Sequence, residues 1–463
     1  MQPSFTLNYG VRWEFFAPYT ERYGHLADIA TNPDAGFASE TEQTVWNRSG
    51  GLPASLVFPW HKAFQPRVGL AWRVPKLKET VVRAGFGTNY TVGEYAGFAN
   101  TMAHQPPFTD EQTNQEALGN TASRACAQTG TCFTLANGFS ANGQALGNYA
   151  LEPHYGLPYV MAWNLDIQKR LPWGIVMNVG YNGARSNHLD VKLAPRVLPT
   201  SPGTDPTALV FNYDEAAAYY KMNAGTVRLN KQLSHGVALG ANYQYGHSID
   251  DATSVNGSGG SLVQDWQNPA AEEGHSVLDI RHQVSGTYLF ELPFGPNTKW
   301  VTSGVGSHIL EGLSISGSFN FATGSWLNPG FEPTSQSVEC GNTSGLRPSL
   351  TGRSVTAGGG SFLHWFNTAA YAAPNNTTGF CDYFCSAPRN SIEGPGTVSN
   401  NMSLSKTMNM GETRSMEIRA TIDNVFNTVQ YSDVNATEGS PTFGEVTSVH
   451  AMRSFQFLAR FRF

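Results

Sequence analysis

Regular alternation of apolar and polar residues is the feature that most limits how this chain can fold. From Phe5 to Phe15 every second residue is aromatic or aliphatic, and Arg12 is one of the polar residues between them. The segments around Met416 and before Phe463 alternate in the same way. A period of two places successive side chains on opposite faces of a β-strand, so each segment predicts a strand with one apolar and one polar face.

The alternation predicts an all-β fold with about twelve antiparallel strands over residues 1–463. No helix longer than a few turns is expected, because the mixture of residues that favours long helices is missing. The strands are expected near residues 4–16, 64–74, 79–90, 160–171, 175–186, 217–233, 237–247, 282–293, 311–323, 399–409, 414–426 and 453–463.

The connections between these strands alternate between short turns and long loops. Such alternation is typical of outer-membrane barrels, with short periplasmic turns and long external loops, and a soluble sandwich has no reason to keep it. The sequence therefore predicts a transmembrane β-barrel in a Gram-negative outer membrane. The short connections are 75–78, 172–174, 234–236, 410–413 and the longer 294–310; the long ones are 17–63, 91–159, 187–216, 248–281, 324–398 and 427–452.

Composition agrees with this prediction and excludes some classes of protein. Charged residues make up 14% of the chain, against roughly 25% in soluble domains. A barrel strand needs only about ten residues, every second of them apolar, so a mean hydropathy of −0.29 is compatible with a membrane. The net charge of −6, without a basic stripe, gives no support for nucleic-acid binding. The first residues do not resemble a signal peptide, so we expect that segment to lie upstream.

The parity of the strands predicts which side chains face lipid and which face the lumen. Apolar residues of one parity must meet hydrocarbon when the other parity lines a polar interior. The set expected to face lipid is Phe5, Val11, Trp13, Met416, Ile418, Ile422, Phe457 and Phe461. The set expected to face inward is Arg12, Glu14, Glu417, Arg419, Asp423, Arg460 and Arg462.

The chemistry-bearing residues do not form a catalytic or metal-binding motif in the sequence. Histidines such as His247 and His275 are scattered, and no pair has the spacing of metal ligands. Asp250, Asp251 and Asp265 share one long loop, where a solvated acidic loop is a better interpretation than a calcium site. We therefore expect no enzyme, no cofactor and no bound metal.

Cysteines and loop aromatics are the remaining candidate site residues. The cysteines are expected to form disulfides within external loops, with the pairing left open. Loop aromatics are candidates for contact with a ligand, although packing of the loops or membrane-interface positions explain them more simply. The cysteines are Cys126, Cys132, Cys340, Cys381 and Cys385; the aromatics are Tyr95, Phe98, Phe108 and Phe133 in one loop and Trp326, Trp365, Phe366 and Tyr383 in another.

Several motifs together resemble TonB-dependent outer-membrane receptors, in particular the Oar-like subgroup with a carboxypeptidase-regulatory-like N-terminal domain. Each motif is weak alone, but their order and spacing extend over the whole chain. They are Asp279-Ile280-Arg281-His282, Glu291-Leu292-Pro293-Phe294-Gly295, Val179-Gly180-Tyr181-Asn182-Gly183-Ala184-Arg185, Ala387-Pro388-Arg389-Asn390, Gly394-Pro395-Gly396 and Asp423-Asn424-Val425-Phe426-Asn427.

The resemblance implies a barrel of about 22 strands with a plugged lumen. The twelve strands would be its last twelve, and the plug, the signal peptide and the first strands would lie upstream. It further implies energy-coupled transport of an unidentified large solute, with the TonB complex, outer-membrane lipid and the barrel-assembly machinery as partners. Phe461 and Phe463 match the terminal aromatic pattern that the assembly machinery recognises in such barrels.

Two other interpretations remain open on the sequence alone. An even number of strands would allow a self-contained twelve-stranded barrel, acting as a passive channel or as a membrane-embedded enzyme. A secreted, β-rich adhesin is the third interpretation.

Overall fold

In a computed structural model, twelve long strands form one antiparallel sheet, labelled β1–β12 in chain order. The structure describes residues 4–30, 43–46, 48–91, 94–108, 149–193, 212–251, 263–266, 268–296, 298–331, 347–373, 386–411 and 413–463. The strands are β1 Phe5–Trp13, β2 Phe64–Arg73, β3 Thr80–Tyr90, β4 Tyr159–Arg170, β5 Ile175–Leu193, β6 Asn212–Ser234, β7 Val237–Asp250, β8 His282–Glu291, β9 Leu313–Ala322, β10 Thr397–Asn409, β11 Ser415–Asp423 and β12 Ser454–Arg462. Each of the twelve predicted spans overlaps one of these strands.

Every strand of this sheet pairs with its neighbours in sequence, so the path runs from β1 to β12 without a crossover. The tight turn between β6 and β7 shows how the sequence specifies such pairing. His235 and Gly236 both have positive φ, 54° and 75°. Two-residue hairpins of this kind need positive φ at both central positions, which glycine adopts without strain. We call the twelve-stranded sheet the wall.

The wall has one apolar face and one polar face that continue across all twelve strands. Residues that are partners across an antiparallel pair lie on the same face. At one end of the sheet Leu7 faces Leu70, and at the other Met416 faces Phe461. On the opposite face Glu417 lies beside Arg460. The predicted division of the wall residues between two faces is therefore confirmed.

One pair of strands is longer than the sequence predicted. β5 and β6 continue past the expected ends of the strands, with an irregular register beyond Ser186. Leu189, Val191 and Leu193 alternate there and are buried. The predicted strand ends near 186 and 217 were therefore wrong, because β5 extends to Leu193 and β6 begins at Asn212, where both pack against neighbouring loops.

Among the described residues, two helices and many short strands accompany the wall. Helix α1 spans Glu94–Ala103 and α2 spans Val305–Leu310; among the described residues no helix is long and apolar enough to cross a membrane. Short 3-10 turns span Ser49–Gly51, Pro172–Gly174, Pro269–Glu272 and Thr368–Ala370. The short strands are Ala27–Ala30, Gln43–Trp46, Tyr149–Leu151, Gly274–His275, Trp326–Leu327, Gly330–Phe331, Ser349–Leu350, Tyr371–Ala372, Ile392–Glu393, Tyr431–Val434, Thr437–Glu438 and Val446–Val449.

Most of the buried apolar side chains lie in the long loops and in the extended ends of β5 and β6, and few lie in the rest of the sheet. One cluster surrounds Tyr155 and Leu56 and includes residues of α1. A second joins the extended ends of β5 and β6 to the first loop through Ile29. A third surrounds Phe366 and Tyr371 in the loop between β9 and β10. We call the described parts of the long loops, with the extended ends of β5 and β6, the loop platform.

The sheet is open at both ends. β1 pairs with β2 alone, and β12 pairs with β11 alone, so each leaves one edge without a partner among the described residues. Every residue of these two strands is exposed. Unpaired edges in lipid leave backbone groups without hydrogen-bond partners at a cost of several kcal/mol each, as a rough scale. The described residues therefore form an open sheet and not a closed barrel.

Candidate functional site at the loop end

A cluster of ionisable side chains lies where β7 enters the loop platform. His247 belongs to the outer end of β7, and the short strand Gly274–His275 pairs with that end. The chain then turns, with the amide of Asp279 donating to the carbonyl of Ser276 at 2.9 Å. A Cβ on Gly274 would lie 2.5 Å from the carbonyl oxygen of Arg389, so only glycine allows this close approach. We call His247, His275, Asp279 and Arg281 the Asp279 cluster.

Asp279 is the centre of this cluster and its side chain is fully buried. Its Oδ2 lies 2.9 Å from Nδ1 of His275 and 3.1 Å from Nδ1 of His247. Its Oδ1 accepts a 2.9 Å hydrogen bond from the amide of Ser248. Burial alone would raise the pKa of Asp279, but these hydrogen bonds and the nearby Arg281 outweigh it and lower the pKa. The carboxylate is therefore held ionised.

Three atoms of the Asp279 cluster have the arrangement of metal ligands. One ligand atom from each of His247, His275 and Asp279 lies within 4.8 Å of the others. Two imidazoles and a carboxylate suit zinc or a similar divalent ion. However, Nη2 of Arg281 lies 3.3 Å from Oδ2 of Asp279 and 3.0 Å from Nδ1 of His247. A guanidinium charge so close to the ligand atoms opposes a cation, so we interpret the cluster as an ion-pair network.

The sequence did not predict this cluster, because its members come from both sides of a long loop. His247 and Asp279 are 32 residues apart. The one local signal is the spacing of four residues between His275 and Asp279, which a search for paired histidines overlooks. The ring of His275 also stacks on Trp326, with centroids 3.7 Å apart and an interplanar angle of 2°. The cluster is thus connected to the loop between β9 and β10.

Two buried ion pairs lie close to the Asp279 cluster. Arg389 donates to the carboxylate of Asp250 and, at 2.8 Å, to the carbonyl of Glu272. Arg347 makes a bidentate pair with Glu272, at 2.6 and 3.0 Å. Bidentate arginine–carboxylate pairs are among the strongest hydrogen-bonded contacts in proteins. They tie the loop after β9 to the loop after β7.

The interpretation of the acidic loop as solvated is wrong for Asp250. This residue ends β7, is 0% exposed and pairs with Arg389. Asp251 is partly buried and accepts a 2.6 Å hydrogen bond from the amide of Tyr219, and burial raises its pKa to about 6. The sequence could not reveal this, because Arg389 lies 139 residues from Asp250.

A cleft beside the cluster brings together three of the candidate aromatic residues. It has a volume of about 440 Å³ and is lined by Trp326, Trp365 and Phe366, with backbone from Gly359 and Glu393. The indole of Trp365 donates to the carbonyl of Glu393 at 2.8 Å, which fixes its ring at the edge of the cleft. Trp326 and Trp365 are partly exposed and Phe366 is 4% exposed. The two tryptophans therefore offer flat apolar surface to a ligand.

Tyr95 and Phe98 lie elsewhere in the loop platform. Both are on α1, are 3% and 4% exposed, and belong to the buried cluster around Leu56. The ring of Phe98 packs edge-on against Tyr155, with centroids 4.7 Å apart. In this structure they pack the loops together and have little surface to offer a ligand.

Of the remaining predicted site residues, Phe461 and Phe463 lie at the end of β12, Phe108 lies in the loop platform, and the others lie outside the described residues. The rings of Phe461 and Phe463 have centroids 6.2 Å apart, and Phe463 is 94% exposed. Phe108 is exposed and stacks on His25. Phe133, Tyr383, Cys126, Cys132, Cys340, Cys381 and Cys385 lie outside the described residues, so the disulfides remain a prediction.

The chain belongs to the outer membrane beta barrel domain family, whose model matches residues 1–456. It is an outer-membrane protein. We expect the apolar face of its wall to meet lipid, the short turns to face the periplasm and the loop platform to face the outside. A search of the curated protein sequences gave no match.

Several solved structures are similar to this chain at low sequence identity. The outer membrane transporter YddB from Escherichia coli has a TM-score of 0.47 and 11% identity, over 91% of this chain and 42% of that one. The siderophore receptor PiuA from Acinetobacter baumannii has a TM-score of 0.45 and 10% identity, over 100% and 41%. The ferric-catecholate import receptor Fiu from E. coli K12 has a TM-score of 0.41 and 8% identity, over 99% and 42%. The chain spans about two fifths of the length of these proteins.

Proposed function

We propose that this chain forms part of the wall and the external solute-binding face of an energy-coupled outer-membrane transporter. The observation that carries the proposal is the open, two-faced wall, whose edges at β1 and β12 have no partner among the described residues. Further strands that pair with both edges would give a barrel wider than twelve strands. Barrels of about 22 strands enclose a lumen that a plug must fill.

The polar face of the wall supports a route for a hydrophilic solute. It carries a depression of about 610 Å³ lined by residues such as Asn230, Thr287, Ser318 and Asn401. Ser403 and Thr421 share a 2.9 Å hydrogen bond on the same face. Hydroxyl and amide groups of this kind can exchange hydrogen bonds with a passing polar solute at little cost.

The loop platform supports an external binding site. The cleft at Trp326, Trp365 and Phe366 lies beside the Asp279 cluster, and the buried ion pairs fix the loops around it. A preorganised site loses less entropy on binding than a mobile loop does. The solute is one that aromatic rings and charged groups of both signs can bind. Siderophores, cobalamin, oligosaccharides and peptides all meet this requirement.

Coupling to TonB is the part of the proposal that rests on the resemblance in sequence motifs. A plugged barrel has no free diffusion path, so work must come from the inner membrane. The segment that contacts the TonB complex would lie outside residues 1–463. Two of the motifs that carry the resemblance also hold the platform together. Arg389 forms an ion pair with Asp250, and Asp279 binds the histidines of the Asp279 cluster.

Uptake by cells that express the protein tests the function. Cells with and without an active TonB complex would be given labelled ferric siderophore, cobalamin, oligosaccharide and peptide in turn. We expect uptake of one of these classes, abolished when TonB is inactive. Uptake that does not depend on TonB, or ion conductance by the chain alone in a planar bilayer, would support a passive channel and overturn the proposal.

The cleft can be tested separately once an imported solute is known. We expect Trp365→Ala and Trp326→Ala to weaken solute binding by roughly 1–3 kcal/mol each, the scale typical of truncating an aromatic side chain at a binding site. Phe362→Ala is the matched control, because Phe362 is an exposed aromatic of the same loop outside the cleft. Equal effects of all three substitutions would place the binding site elsewhere in the platform.

A further inference from the structure

We infer that α2 is a membrane-interface helix that lies on the periplasmic leaflet of the outer membrane, outside the wall. The helix belongs to residues 292–312, the longest of the turn-end connections, between β8 and β9. Three observations carry the inference: the face of the wall on which the helix is anchored, the side chains it leaves exposed, and its position at the turn end.

Lys406 shows which side of the wall the helix occupies. In the sheet register Lys406 is the partner of Leu313 on β9 and of Ile418 on β11, so it belongs to the apolar face. Its ammonium group donates to the carbonyl oxygens of His308, at 3.1 Å, of Glu311, at 3.3 Å, and of Ile309. The last turn of α2 is therefore held against the lipid-facing side of β10.

This contact also explains how a lysine is tolerated on the apolar face. The last carbonyl groups of a helix have no partners within the helix and carry partial negative charge. Lys406 supplies their hydrogen bonds, and they in turn neutralise part of its charge. A long lysine side chain can reach from an apolar surface to the polar interface in this way.

The helix leaves an apolar surface uncovered. Val305 is 77% exposed and Ile309 is 60% exposed, and residues four apart lie on the same face of a helix. Ser307 is 1% exposed and bonds to the carbonyl of Gly304, so the opposite side packs on the protein. Trp300, just before the helix, is 57% exposed and packs against Phe294.

Lipid is the occupant that fits this surface, because it continues the face of the wall that already meets lipid. Phe290, at the end of β8 next to the connection, is on the apolar face and 40% exposed. Tryptophan and tyrosine are enriched at the interface between hydrocarbon and water. His308 and Glu311 are exposed beside the apolar residues, where headgroups and water would meet them. An apolar face bordered by polar side chains is the pattern of a helix that lies in the plane of the membrane.

Site-directed spin labelling can measure the depth of this helix. Cysteines would replace Val305 and Ile309, with His308→Cys as the matched position on the same helix and Ile418→Cys as a lipid-facing reference. The chain would be inserted into vesicles of phosphatidylethanolamine and phosphatidylglycerol, and the unsubstituted chain would give the background from native cysteines. Collisions with oxygen, which concentrates in lipid, would be compared with collisions with a water-soluble nickel chelate.

We expect positions 305 and 309 to favour oxygen, as position 418 does, and position 308 to favour nickel. Preference for nickel at both 305 and 309 would place the helix in the periplasm and overturn the inference. Protection of both positions from both reagents would also overturn it, because a second copy or another protein would then cover the surface. The result does not depend on transport, so it is independent of the proposed function.

Discussion

The wall and the loop platform are made from the same chain but are stabilised in opposite ways. In the wall, large apolar residues such as Tyr9 and Phe457 are 82% and 78% exposed in the isolated chain. In the platform, Leu56 and Tyr155 are both 0% exposed. Lipid surrounds the wall, so its apolar side chains need no protein partner. The platform is in water and must bury its own apolar core.

The two regions also differ in where their hydrogen bonds come from. Wall strands satisfy their backbone groups by pairing with neighbours in sequence, as lipid requires. The platform relies on side chains from distant loops, including Arg347 on Glu272 and Arg389 on Asp250. A change in one region should therefore leave the other largely intact, and the following predictions test that separation.

The largest effect is expected when a buried ion pair of the platform is broken. Arg347→Met leaves the buried carboxylate of Glu272 without its partner, which typically costs about 3–5 kcal/mol. Limited proteolysis should detect opening of the platform, while the heat-dependent gel mobility of the wall remains unchanged. Arg353→Met is the matched control, because Arg353 is exposed; loss of the wall along with the platform would show that the two regions are not separate.

A charge on the lipid face should destabilise the wall instead. Leu404→Arg, on the apolar face between Ile315 and Ala420, is expected to cost about 2–4 kcal/mol near the middle of the membrane. The free energy would be measured by urea titration of protein inserted in vesicles. Gln456→Arg, on the polar face opposite Thr421, is the control and should have little effect. Similar losses for both variants would contradict the assignment of the two faces, and a larger loss for Gln456→Arg would mean that the assignment is reversed.

The pH dependence of the platform should arise in part from Asp28. Burial raises the pKa of this carboxyl group from 3.8 to about 8, although the amides of Ile29 and Leu151 donate to it. The folded state keeps a proton that the unfolded state loses near pH 4, so stability falls as pH rises towards 8, by at most about 1.4 kcal/mol per pH unit. Asp28→Asn should flatten the curve between pH 6 and 8 in proteolysis experiments. An unchanged slope would rule out Asp28 as its source.

The smallest effect on stability is expected from deletion of Phe463. We propose that Phe461 and Phe463 act as a signal to the assembly machinery, through strand addition with pockets for alternate side chains. Deletion should then slow insertion in cells far more than it weakens protein already folded. A stability loss of about 1.5–3 kcal/mol with an equal loss of insertion would instead indicate an ordinary lipid-facing residue.

The wall could be predicted from the amino-acid sequence alone. Alternation at a period of two is local, so the strands from Phe5 to Arg462 and the division of their side chains between two faces follow from neighbouring residues. The predicted end of β5 was too early, although Leu189, Val191 and Leu193 still alternate with polar residues. The prediction missed only that the strand continues beyond its expected end. Membership of the outer-membrane barrel family agrees with that local pattern.

The contents of the platform, by contrast, became visible only in three dimensions. Asp250 was expected in water and is buried against Arg389, and His247 gained its role only when Asp279 was brought beside it. Tyr95 and Trp326 were equivalent candidates in sequence, yet one is packed in a core and the other lines a cleft. Loop residues meet partners at separations that no local period encodes. The burial and ionisation of a loop residue therefore depend on which distant loop the fold brings beside it. The wall determines only where each loop begins and ends.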